Sequence, residues 1–156
     1  MIKSQIKIPR KKRRQEYHVI YWDDTLFEVS KKVKIFNIVF EHLHDIVLSK
    51  FKFKDDYNIK SQFKQMYWRI NCCILLFEGL NTPRECVANN ILIELFEIKR
   101  ALNCYRDFVR RCFINNKRVD LIDDPLYSRT NEELDIMLKE CIELTKPVCS
   151  NIFQIQ

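Results

Sequence analysis

Apolar residues recur along most of the chain at alternating spacings of three and four, which is the pattern of helices buried on one face. The first apolar stripe, from Val29 to Phe51, predicts a helix over residues 25–52. The second stripe runs through residues 59–77 and is followed by Gly79, the kind of residue that closes a helix in a left-handed conformation. These two stripes predict a pair of amphipathic helices.

Two capping signals define the second half of the chain. Thr82–Glu85 is a capping box with a proline at the first helical position, and it predicts a third helix over residues 83–115. Residues 116–129 combine aspartates with a proline and predict a long loop. A second capping box, Thr130–Glu133, predicts the start of a fourth helix, which Pro147 stops or kinks. The four helices predict an all-α fold, a four-helix bundle.

The N-terminal end lacks this periodicity and is strongly basic. Residues 1–14 hold seven of the 27 Lys and Arg residues and no Asp or Glu. Because like charges repel and Pro9 interrupts a helix, residues 1–16 are predicted to form a disordered basic arm ahead of a helical domain over residues 17–156. At the start of that domain, Tyr17–Trp22 is aromatic and β-branched and predicts a lone strand or an extended segment.

Composition narrows the class of protein. A chain of 156 residues fits one domain, and a hydrophobic fraction of 47% is too high for a disordered protein. The single glycine excludes folds that depend on glycine-rich phosphate loops. The net charge of +6 comes from the basic arm, so the helical domain is close to neutral. No apolar stretch reaches the roughly 18 residues of a membrane span, and no membrane association is predicted.

The sharpest local motif lies in the basic arm. It consists of Arg10, Lys11, Lys12, Arg13 and Arg14. This run resembles a monopartite nuclear-import signal, and with the next residue it is similar to the arginine-rich RNA-binding stretch of lentiviral Tat, a similarity that covers six residues and ends at Glu16. The resemblance implies binding to an import carrier or to phosphates. The alternative is a solvated tail with no specific partner.

A second set of cations falls at helical spacing on the third helix. It comprises Lys99, Arg106, Arg110 and, if the helix continues, Lys117. Such a row could contact the phosphates of a nucleic acid. It could equally be a solvated face, because cations near a helix C-terminus complement the helix dipole.

Some apolar residues lie outside the main stripes of the first and third helices. They include Ile35, Ile38, Val39, Ile46, Leu92 and Phe96. A helix that is apolar on more than one face is either central in its own bundle or half of an interface. These positions therefore predict an apolar interface for a partner protein or for a second copy of the chain.

The chain carries no motif of a metal site or an active site. Its seven cysteines include no C-x-x-C pair, and Cys104 and Cys112 are too far apart on a helix to share one metal. We predict free thiols in a reducing compartment, nuclear or cytoplasmic, and neither a metal nor a cofactor. No H-E-x-x-H motif and no serine flanked by glycines is present, so the protein is predicted not to be an enzyme.

Three functional hypotheses fit these features. The first is a non-enzymatic, nuclear interaction module that binds proteins through an apolar helical face and uses the basic arm for import or phosphate contact. The second is a nucleic-acid-binding protein, which requires a continuous basic face joined to the arm. The third is a virus-encoded helical decoy of a host regulator, which requires a groove for a partner helix.

Overall fold

A computed structural model of the chain describes the backbone of residues 10–51, 56–78 and 84–149, and the side chains of residues 25–50, 58–78 and 87–149. These segments form four α-helices and two short 3-10 turns, and no strand occurs among them. The elements are α1 (Arg10–Phe51), α2 (Asp56–Glu78), α3 (Arg84–Asn115), a 3-10 turn (Val119–Leu121), α4 (Pro125–Thr145) and a second 3-10 turn (Lys146–Val148). The prediction of an all-α bundle of four helices is confirmed.

The helices surround one core. α1 packs chiefly on α4 and α2, and α2 packs on α3, while α3 makes a less extensive contact with α4. Lys50 at the end of α1 pairs with Asp124 at the start of α4 at 2.6 Å, and Lys32 pairs with Glu140 at 3.5 Å. α1 and α4 are therefore antiparallel. Apolar side chains from every helix fill the space between them, among them Phe36, Phe40, Leu43, Ile70, Ile91, Leu95 and Leu134.

α1 begins well before the predicted helix start at residue 25. Residues 10–16 of the predicted disordered arm form its first turns, and Tyr17–Trp22, predicted as a strand or extended segment, is helical as well. The strand or extended segment predicted for Tyr17–Trp22 is therefore wrong. Lys, Arg, Gln and Glu are good helix formers, and a proline hinders a helix on its own N-terminal side, so Pro9 does not stop a helix that begins after it. The remaining arm residues, 1–9, lie outside the described part.

α2 and α3 follow the sequence prediction closely. α2 ends at Glu78, where its apolar stripe ends, and α3 is one continuous helix with nearly the predicted bounds. The predicted glycine cap at Gly79 and the capping residue Thr82 lie outside the described residues.

The row of cations predicted on α3 does not continue to Lys117, because the helix ends before that residue. Lys117 adopts a left-handed conformation with φ of 57°. Its amide donates to the Ile114 carbonyl at 3.0 Å, and the Arg118 amide donates to the Phe113 carbonyl at 2.8 Å. This pair of bonds is a Schellman motif, which here closes the helix on a lysine instead of a glycine. Lys117 therefore lies beyond the last turn of α3 and not on its basic face.

The start of α4 differs from the prediction. The helix begins at Pro125, where Asp124 caps it by accepting a hydrogen bond from the Tyr127 amide at 3.1 Å. The predicted capping box at Thr130–Glu133 is wrong, because Thr130 lies inside the helix and donates to the Leu126 carbonyl at 2.8 Å. An aspartate followed by proline is itself a strong helix start. At the other end the helix stops at Thr145, and Pro147 lies in the following 3-10 turn.

Candidate partner-binding groove

A groove runs between α3 and α4. These two helices pack on each other less extensively than α1 packs on α4 or α2 packs on α3. At one end, the Arg106 guanidinium holds the two helices together. It donates to the Asn131 side chain at 2.7 Å, to the Asn131 carbonyl at 2.9 Å and to Asp135 at 2.9 Å. A planar guanidinium bonded at three points fixes the spacing of the helices there. The groove then opens toward the C-terminal end of α4.

The floor of the groove is apolar and its rim is polar. Its volume is about 540 Å³, within the range of pockets that bind small ligands or anchor side chains. Phe96 of α3, which is 44% exposed, lines the groove together with the buried Leu138 and Ile142 of α4. The other lining residues are Lys99, Asn103, Arg106, Asp135, Lys139, Glu143 and Lys146.

The electrostatics of the groove favour an anionic occupant. Its lining includes four cations and two carboxylates, and one carboxylate, Asp135, is already paired with Arg106. Lys99 from α3 and Lys139 from α4 are both exposed, and neither takes part in an ion pair between described residues. The two lysines lie on opposite walls of the groove, and their charges are available to attract an anionic partner.

The predicted basic row on α3 does not form a continuous face. Lys99 lines the groove, but Arg106 is tied to α4 and its side chain is only 20% exposed. Arg110 lies in a shallower depression of about 350 Å³, which it shares with the carboxylates of Asp107 and Glu132. Lys117 lies beyond the end of the helix. Carboxylates therefore interrupt the positive charge along the described part of this surface.

The predicted apolar interface separates into three groups. Ile46 and Leu92 are buried in the core, which rules them out as exposed interface residues. Val39 is half-buried against the same core, and Ile35 and Ile38 are exposed on α1. The sixth residue, Phe96, lies in the groove. One residue of the apolar set and two of the basic set, Lys99 and Arg106, thus meet at one site.

A buried aromatic cluster occupies the opposite side of α3. Phe40, His44, Phe63 and Tyr105 form it. The Nδ1 atom of His44 lies 2.8 Å from the Tyr105 hydroxyl, and its ring stacks on Phe63 with centroids 4.2 Å apart. Burial lowers the pKa of His44, which favours neutral imidazole, although Asp45 opposes that shift. The His44 imidazole and the Tyr105 ring are therefore both buried parts of the core.

The buried cysteines among the described residues behave as small apolar residues. Cys73 and Cys141 are buried, and burial raises the pKa of both thiols, that of Cys141 to about 12. They are therefore protonated near neutral pH and poor nucleophiles. No group of three or more His, Cys, Asp or Glu residues in the described ranges is arranged to hold a metal ion.

Sequence reasoning missed the α4 side of the groove. Leu138 belongs to the predicted apolar stripe, but Lys139 and Glu143 look like ordinary surface residues in sequence. Their role as groove lining depends on the packing of α4 against α3, which brings together residues about 40 positions apart. No local signal in the sequence could have identified them.

No protein-family model, curated protein or solved structure matches this chain. Within the part of the chain that the structure describes, no helix has both the length and the apolar character needed to cross a membrane.

Proposed function

We propose that this protein is a non-enzymatic, nuclear interaction module and that it binds partner proteins in the groove between α3 and α4. The observation that carries the proposal is the exposed Phe96 on an apolar floor, flanked by Lys99 and Lys139 on opposite walls. An exposed aromatic side chain in a cleft is a typical anchor of protein interfaces. The unpaired cations add selectivity for acidic partners.

The same geometry disfavours the described helical body as a nucleic-acid reader. Duplex binding needs several cations that are free to replace counterions along the phosphate backbone. On α3 the central cation, Arg106, is bonded to α4, and carboxylates lie beside Arg110. The decoy hypothesis shares the groove with the main proposal and differs in attributing the protein to a virus and its partner to a host.

Photo-crosslinking tests the groove directly. A photoreactive phenylalanine analogue is placed at position 96 in the groove or, as a control, at position 75 on α2, where Leu75 is 62% exposed outside the groove. In cells that express the protein, we expect a discrete crosslinked product at position 96 and its loss when Lys99→Glu is added. Equal crosslinking at the two positions, or a product insensitive to Lys99→Glu, would contradict the proposal.

The basic arm supports a second, separable role in import or phosphate contact. Residues 1–14 carry seven cations and no acid. Replacing the five cations of residues 10–14 by glutamine removes the charge while keeping good helix formers. Loss of nuclear accumulation with unchanged binding to duplex DNA would assign the arm to import. A smaller dependence of DNA affinity on salt would assign it to phosphate contact. If neither property changes, both roles of the arm are excluded.

A further inference from the structure

An exposed stripe of residues on α4 carries charged side chains that form no ion pair with other described residues. We call it the α4 stripe, and its members are Arg129, Glu133, Ile136, Lys139 and Glu143. Successive members are four, three, three and four residues apart, which keeps them on one face of a helix. All five are exposed, and Ile136 in the centre exposes 58% of its surface.

Two neighbouring acidic residues on α4 differ from the α4 stripe, because each of them forms an ion pair with another helix. Asp135 pairs with Arg106 of α3, and Glu140 pairs with Lys32 of α1, so both help to hold the bundle together. The four charged residues of the α4 stripe take part in no ion pair between described residues. The fold itself therefore does not account for their charges.

The charges of the stripe are arranged with opposite signs about Ile136. Three residues before it lies Glu133, and three after it lies Lys139. Seven residues before it lies Arg129, and seven after it lies Glu143. A two-fold axis through Ile136 that reverses the helix direction would place each of these four charges opposite one of the other sign. The same axis sets the exposed Glu132 opposite Glu140, whose carboxylate already pairs with Lys32 of α1. Interfaces with this symmetry pair residue i with residue j and j with i.

Pairing within the helix is the competing explanation. Arg129 and Glu133 are four residues apart, as are Lys139 and Glu143. In both cases the cation comes first in the chain, which is the weaker order for such pairs. No ion pair forms at either position. The side chains are thus available for a partner helix.

We propose that α4 binds α4 of a second copy of this chain in antiparallel orientation, with Ile136 on the two-fold axis. Glu133 then faces Lys139 of the second copy, and Arg129 faces Glu143 of the second copy, each pair occurring twice. The two isoleucines pack against each other at the centre. Since Lys139 and Glu143 also line the groove between α3 and α4, the dimer covers one rim of that groove and pairs Lys139, while Lys99 on the other wall stays available to an acidic partner.

Charge reversals test the pairing through the mass of the purified protein. Sedimentation over a range of concentrations should show wild-type protein passing from the 19.0 kDa monomer to a species of twice that mass. Glu133→Lys places like charges opposite each other at two points and should weaken dimerisation about tenfold. Adding Lys139→Glu exchanges both signs and should restore the wild-type value, because the two positions face each other only in the dimer.

The controls separate this pairing from other kinds of association. Lys64→Glu on α2 changes an exposed lysine away from the stripe and should leave dimerisation unchanged. A wild-type protein that stays monomeric at high concentration, or a double variant that remains as weak as Glu133→Lys, overturns the proposal.

Cysteine crosslinking tests the position of the axis. In a background with the exposed Cys104 replaced by serine, Ile136→Cys should form a disulfide-linked dimer on mild oxidation. Arg129→Cys should not, since two copies of position 129 would lie about 21 Å apart along antiparallel helices. Mixing the Arg129→Cys and Glu143→Cys proteins should restore crosslinking. Equal crosslinking at positions 129 and 136 overturns the antiparallel register, whatever the result of photo-crosslinking at position 96.

Discussion

Two aromatic residues on α3, nine positions apart, illustrate two different uses of the same helix. Tyr105 is 1% exposed and donates or accepts a hydrogen bond with His44 inside the buried aromatic cluster. Phe96 is 44% exposed and lies over the groove. The cluster is closed by ring contacts from α1 and α2, whereas the groove is open because α4 approaches α3 less extensively. Aromatic content alone does not distinguish a core from a binding surface.

The largest expected difference between the two regions is in stability. Phe40→Ala removes a ring that stacks on Phe63 at 5.4 Å and meets Tyr105 edge-on at 5.0 Å between centroids. We expect a loss of about 3–5 kcal/mol in the free energy of unfolding, measured by denaturant titration. Phe96→Ala is the matched variant in the groove and, because that side chain is 44% exposed, should cost only about 1–1.5 kcal/mol. Similar losses in the two variants would mean that Phe96 belongs to the core.

A smaller loss should follow when the polar contact inside the cluster is cut. Tyr105→Phe keeps the ring and leaves the buried Nδ1 atom of His44 without its partner. The expected cost is about 1–3 kcal/mol in the free energy of unfolding, the penalty for a buried polar group left unsatisfied. Tyr67→Phe, which removes an exposed hydroxyl, is the control and should change stability by less than about 0.5 kcal/mol.

The same contact predicts how stability depends on pH. The pKa of His44 in the folded protein lies below its ordinary value of 6.5, chiefly because burial disfavours the imidazolium. The unfolded chain therefore binds the proton more readily, so the contribution of His44 is complete above pH 6.5 and decreases as pH falls toward the folded-state pKa.

Thermal unfolding over this pH range, followed by circular dichroism, is the measurement. His44→Gln should flatten the curve between pH 6.5 and the folded-state pKa, while His42→Gln, at an exposed position on the same helix, should leave its slope unchanged. An equal effect of both substitutions would show that burial of His44 is not the cause.

The smallest expected effect lies outside both regions and separates stability from binding. Lys117 holds a left-handed conformation with φ of 57°, which glycine adopts without the strain of a Cβ atom. Lys117→Gly should therefore raise the free energy of unfolding by about 0.5–1 kcal/mol, after allowing for the greater freedom of glycine in the unfolded chain. Crosslinking at position 96 should not change. A destabilised variant would mean that the lysine side chain makes a contact worth more than the relief of strain.

Local patterns in the sequence determined the helices where periodicity and end signals agreed. Along α3 the apolar stripe and its start signal place a helix over residues 83–115, and the structure has Arg84–Asn115. Along α4 the capping box at Thr130–Glu133 predicts a start five residues after the observed one at Pro125, because the aspartates and the proline before it are typical of a loop as well as of a helix start. Asp124 caps the helix and also pairs with Lys50 of α1, a contact 74 positions away.

Tertiary packing alone decided which side chains are available for function. The sequence places Arg106 in a row of cations on α3. In the fold its guanidinium is bonded to Asn131 and Asp135 of α4, so it is not available to an outside partner. Ile46 and Ile38 look alike in sequence, yet one is in the core and the other is exposed. The spacing and signs of the α4 stripe are determined by the sequence, because they depend only on helical periodicity. Its exposure is decided by the fold, because burial depends on the neighbouring helices that come from elsewhere in the chain.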